Sequence, residues 1–190
     1  MTVRAKDYND YYRLSHRWTD EVSLQILRRG VIVDSVKCLC ECDELRLKLE
    51  SGEFLSQNVV SSNLFSIDGR KEYLPLMLPS LAGFPIFRKD VIKAFEESSF
   101  GLQTFEIKCD DVEISENYLL IYVASIEGVE CGNFWGGNCV LNSRKIGVDV
   151  DFFRLSEFPT VLLCSGAVYS YFSKFHYSEW GVSFCSLISK

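Results

Sequence analysis

The residues that could do chemistry in this chain fall in a few places. Cys38, Cys40 and Cys42 form a C-x-C-x-C run. Zinc takes four nitrogen or sulfur ligands in a tetrahedron, with pairs commonly spaced C-x2-4-C. On an extended strand, alternate residues share a face about 7 Å apart, too wide for three thiols to meet one ion without a bend. Cysteine also behaves as a small buried hydrophobe. The run therefore reads as a buried strand face, and no metal is expected.

Cys164-Ser165-Gly166 stands between an apolar stretch and a helical pattern. A thiol at a helix N-terminus has a lowered pKa, and a hydroxyl there meets free backbone N–H groups. A nucleophile also needs a base, and the chain holds only His16 and His176. His176 lies about one helix length beyond Cys164, which puts the two at opposite helix ends. The G-x-S-x-G elbow of the α/β-hydrolases is absent. A hydrolase centred on Cys164 is thus the lesser reading, and Ser165 reads as a helix cap.

Carboxylates gather at Asp110, Asp111, Glu113 and Glu116. Paired acids can serve glycoside hydrolysis or hold a hard cation, but the Gly and Glu spacing of a calcium loop is missing. The cluster falls between two predicted strands, so it reads as a solvated loop and a candidate patch for a basic partner. Phe134 and Trp135 sit in a GNFWGGN loop at 132–138. They either tuck under a Gly136-Gly137 turn or project as partner anchors. No helix pattern follows that loop, so it does not cradle phosphate. Tyr169 and Tyr177 fall outside the apolar stripe of Val168, Tyr171, Phe172 and Phe175, and are further candidate partner contacts. No catalytic set and no cofactor site emerges.

The 190 residues are 47% hydrophobic and 24% charged, enough for one domain with a real core. Net charge is −6, and no basic cluster is longer than a pair such as Arg28-Arg29. That offers nucleic acid no positive stripe. No secretory signal and no uncharged apolar stretch of about 18 residues is visible. The expectation is a cytoplasmic protein, off the membrane, with reduced thiols.

The elements that must position these residues follow from periodicity. Thr19-Asp20-Glu21 starts a short helix carrying Val22, Ile26 and Leu27, which stops near Gly30. Over Val31–Glu50, Ile32, Val36, Cys38, Cys40 and Cys42 share one parity, while Leu45, Leu47 and Leu49 share the other. The change near Asp43-Glu44 predicts two strands joined by a turn or bulge. Residues 51–84 read as irregular, with short strand or helix pieces. Pro85–Lys89 is a short strand and 91–97 a helix capped by Asp90, with Val91, Ala94 and Phe95 on its apolar face. Gly101 then precedes a strand over Leu102–Lys108. Tyr118–Val123 (YLLIYV) is a buried central strand. Arg144–Phe153 alternates, with Ile146, Val148 and Val150 on one face. Thr160–Cys164 is a strand, a helix follows, and Gly181 precedes a strand over Val182–Leu187. The expected fold is α+β, with mixed or antiparallel sheets and a few short helices. It is expected as a single domain over 1–190, with a variable half (1–84) and two loosely similar strand–helix–strand units (85–190).

The segments PIFRKDVIKAF, ENYLLIYV and VLLCSGAVYSYFSKFHYSEWGVSF, in that order, resemble a bacterial immunity-protein family of polymorphic toxin systems, the one numbered eleven, or its relatives. The resemblance covers roughly residues 55–188. It departs from the family where Glu127-Gly128-Val129-Glu130-Cys131 and NFWGGN replace an acidic, Asp-bearing segment. The resemblance implies an intracellular immunity protein that binds and neutralises a cognate toxin effector by surface complementarity. It needs no catalytic residues. The alternatives are the Cys164 hydrolase and an adaptor or structural protein of a secretion or phage system.

Overall fold

The computed structural model of the chain describes residues 11–16, 37–40, 43–51, 55–68, 75–78, 85–95, 101–123, 125–127, 140–141, 146–147, 150–176 and 181–189. In chain order, β1 spans Tyr11–His16 and β2 Lys37–Leu39. Helices α1 (Asp43–Ser51) and α2 (Gln57–Ser61) precede β3 (Leu64–Asp68) and β4 (Met77–Leu78). Next come β5 (Ile86–Arg88), α3 (Lys89–Lys93), β6 (Leu102–Glu106), β7 (Lys108–Cys109), α4 (Val112–Asn117) and β8 (Tyr118–Val123). The last are β9 (Ser125–Ile126), β10 (Val140–Leu141), β11 (Phe152–Leu155), β12 (Phe158–Ser165), α5 (Gly166–Phe172) and β13 (Val182–Ser189).

Among the described residues the strands form three sheets, ordered β10-β13-β1-β12-β11-β9, β4-β5-β8-β6 and β2-β3-β7. Pairing is parallel at β10/β13, β11/β9 and β3/β7, and antiparallel elsewhere. The α+β class with mixed sheets and short helices is therefore what the chain adopts. No helix among the described residues is long and apolar enough to cross a membrane.

The two strand–helix–strand units share more than their order. In the first, β5 and β6 both run antiparallel to β8, which lies between them. In the second, β12 and β13 both run antiparallel to β1, which lies between them. Each unit is thus a strand–helix–strand split by one inserted strand. A left-handed glycine precedes each returning strand: Gly101 has φ 78° and Gly181 φ 68°. Only glycine takes that backbone without steric cost. The two units meet at their helices. The Tyr171 ring lies edge-on to Phe95 at 5.3 Å, and Tyr171 Oη donates to the Asp90 carbonyl at 3.4 Å.

Burial explains the continuous apolar runs. On β8, Leu120 and Tyr122 face a cluster with Leu45, Leu55, Val60, Phe65 and Ile114. Ile121 and Val123 face a second cluster with Phe87, Phe152, Leu162 and Phe172. The six-stranded sheet likewise turns Leu162 and Cys164 to that second cluster, and Leu163 and Phe153 to a third with Tyr11 and Leu187. A strand buried on both faces cannot alternate, so YLLIYV and VLLC read as unbroken apolar runs. Residues before and after position 84 share the first two clusters. The buried Tyr118 hydroxyl donates to the Pro75 carbonyl across the same divide.

Several local expectations are corrected. Residues 43–51 are a helix, not a second strand. Leu45 is fully buried while Leu47 is 58% exposed, a divergence that a strand of one parity would not give. Asp43 and Glu44 suit the first helical turn, Lys48 the last, and Glu44 pairs with Lys48 at 3.2 Å. Helix α3 starts at Lys89, two residues before the predicted start, with Arg88 as its N-cap. Asp90 still accepts the Val91 N–H at 3.0 Å and holds Arg88 in a two-point ion pair, each contact 2.7 Å. Ile146 and Gly147 are not in a strand; the Val150 N–H closes a turn onto the Gly147 carbonyl, and β11 starts only at Phe152. Over 57–68 the irregular stretch holds a short helix and a strand, as expected. The helix predicted from Thr19 lies outside the described residues.

Candidate functional site

Four of the predicted partner contacts come together around α4. Asp111 is its N-cap: the carboxylate accepts the Ile114 N–H at 3.2 Å. Ser115 Oγ accepts the Cys109 N–H at 2.7 Å and donates back to the Cys109 carbonyl at 3.2 Å, which ties the helix to β7. Ile114 is fully buried and fixes which side faces inward. The other side presents Asp110, Glu113 and Glu116, all exposed. Neither glutamate forms an ion pair with another described residue. Among them stands Val112, 68% exposed. Leu64, 60% exposed, lies on β3 opposite Lys108 of β7, in the same small β3–β7–α4 unit. The acidic cluster predicted as a loop is thus mostly helix, because Asp111 caps it and Ile114 anchors it.

Tyr169 belongs to a different surface. It is half-buried on α5, its ring stacked on Tyr12 at 4.5 Å and edge-on to Phe184 at 5.3 Å. Much of its area is spent on those neighbours. Phe134, Trp135 and Tyr177 lie outside the described residues.

Of the thiol candidates, Cys40 and Cys164 are buried. Cys164 is fully buried, and burial first, then the nearby Asp151, pushes its thiol pKa well up. An activated thiol needs access and a lowered pKa. Ser165 is the N-cap of α5 but makes no side-chain cap bond. Its hydroxyl instead donates to Asp151 Oδ1 at 2.8 Å, while its N–H donates to the Asp151 carbonyl at 2.9 Å. His176 is exposed beyond the far end of α5. Cys40 is buried in the first core cluster, just past the end of β2; Cys42 lies outside the described residues. Among the described residues no group of three His, Cys, Asp or Glu side chains could hold a metal ion.

Arg154 and Gln103 escaped the sequence reading. Arg154 is 2% exposed, and burial pulls its pKa down to about 10. Its Nε and the Gln103 Oε1 are buried, with no hydrogen-bond partner among the described residues. The only signal in the sequence is an arginine inside the apolar FFRL stretch, which an exposed strand edge would explain equally well.

No protein-family model matches the chain, and no curated protein matches it.

Proposed function

We propose that this protein is a cytoplasmic immunity protein: a binding module that neutralises a cognate bacterial toxin effector by direct contact. The observation that carries the reading is the outer side of α4, where exposed Val112 stands among the carboxylates of Asp110, Glu113 and Glu116. An apolar side chain among carboxylates that form no ion pair with a described residue suits a protein interface, with a buried anchor and a charged rim. The net charge of −6 favours a basic partner and speeds its encounter. The burial of Cys164 supports binding over thiol catalysis.

Co-expression with the toxin encoded beside this gene tests the reading. The expected result is rescue of growth and a complex that survives purification. Failure to neutralise or bind any neighbouring toxin overturns it. In the complex, Glu113→Lys with Glu116→Lys should slow association and flatten its salt dependence, while Val112→Asp should speed dissociation.

A further inference from the structure

Arg154 is a cation in an unusual place. It sits where the β11–β12 pairing breaks: Phe153 faces Leu163, Leu155 faces Phe158, and Arg154 alone stands opposite Pro159 to Leu162. Such irregularities re-aim side chains and recur beside functional sites. Its Cζ lies 5.7 Å from the Tyr122 ring centroid. Gln103 is directly opposite Tyr122 in the β6–β8 register, so both side chains leave the same face about 5 Å apart.

Two buried groups flanking one tyrosine therefore lack complements. Among the described residues, Arg154 Nε is a donor without an acceptor, and Gln103 Oε1 is an acceptor without a donor. Native proteins rarely bury a cation unpaired. The Tyr122 face offsets only part of the desolvation, because a cation–π contact is weaker than the loss of hydration.

We propose that Arg154, Tyr122 and Gln103 form a binding site for a small oxyanion that carries its own O–H donor, the class that includes hydrogen phosphate and short hydroxycarboxylates. The anion answers the guanidinium, and its O–H answers Gln103 Oε1. A carboxylate without a hydroxyl satisfies one of the two groups only. The site is separate from the α4 surface and does not depend on the immunity reading.

The test is the unfolding midpoint of the full chain at constant ionic strength, titrated with inorganic phosphate, glycolate, acetate or chloride. Phosphate or glycolate, or both, should give a saturable rise, with acetate roughly tenfold weaker for want of one hydrogen bond. The responding arm names the source. Arg154→Met keeps the volume, removes the charge and should abolish the rise; Gln103→Leu should bring phosphate and glycolate down to the level of acetate. Calorimetric titration of the unaltered protein gives the same answer if the Met variant does not fold. No saturable response to phosphate or glycolate overturns the proposal. An equal response in the Arg154→Met variant, or in acetate, does so too, since general exclusion of salts stabilises any fold.

Discussion

The carboxamide of Gln57 pairs with the backbone of Glu106 in both directions: its Nε2 donates to the Glu106 carbonyl at 3.0 Å, and its Oε1 accepts the Glu106 N–H at 3.2 Å. Strand β6 is an edge of the four-stranded sheet, and edges invite pairing with other chains. One side chain from α2 thus occupies the place where a neighbouring strand would add. Gln57→Ala should cost about 1 kcal/mol, the usual net value of such bonds. It should also raise self-association at high concentration. Urea denaturation and size-exclusion chromatography read the two effects.

Gly101 and Gly181 hold equivalent places in the two split units but differ in their surroundings. A Cβ at Gly101 meets nothing within 4 Å, whereas one at Gly181 lands 2.0 Å from the Met77 carbonyl oxygen. Gly101→Ala should cost about 1 kcal/mol, from the left-handed backbone alone. Gly181→Ala carries the same backbone cost and also forces β4 away from the turn before β13. It should be more destabilising than Gly101→Ala by at least about 2 kcal/mol. Equal losses in denaturant titrations would refute that placement.

Thiol labelling should sort the cysteines by burial. Cys109 and Cys185 are partly exposed, whereas Cys40 and Cys164 are buried. In the native protein at neutral pH, Cys109 and Cys185 should be modified first, and Cys164 only after unfolding. Mass spectrometry of peptides from a time course gives the order. Prompt modification of native Cys164 would reopen the hydrolase reading.

Asp90 should contribute to acid stability. The hydrogen bond from Arg88 is the main force holding its carboxyl below the usual range, against an opposing effect of burial. A carboxyl lowered in the folded state stabilises above its unfolded pKa of about 4, and that contribution fades as pH falls through the lower folded value. Asp90→Asn should therefore lose stability at neutral pH and match the parent at the acid extreme. The difference between the two curves should close below about pH 4. The carboxylate is 53% exposed, so added salt should shrink the effect.

Much of the fold was legible because its signals are local. The YLLIYV run announced a buried central strand, and Gly101 and Gly181 each marked the approach to a strand; the left-handed backbone at both glycines and the burial of YLLIYV on two faces came from the structure. The apolar stripe of Val168 and Phe172 described α5, both residues being buried. Residues 43–51 misled because Leu45, Leu47 and Leu49 satisfy strand parity. Leucine, lysine, arginine and glutamate all favour helix, and only the pocket around Leu45 decided between the two. Ser165 has the residue type of a cap, but Asp151, brought beside it across the β11–β12 pairing, took its hydroxyl.

By itself the sequence determined the class of fold, the order of the two strand–helix–strand units and the absence of a basic stripe, since composition and periodicity act within one element. It also located the acids of α4. Tertiary structure alone decided that those acids surround an exposed valine, that Cys164 is sealed, and that Arg154 lies buried against Tyr122. Each of these is a matter of burial, set by sheets that meet only after chain segments far apart in sequence come together.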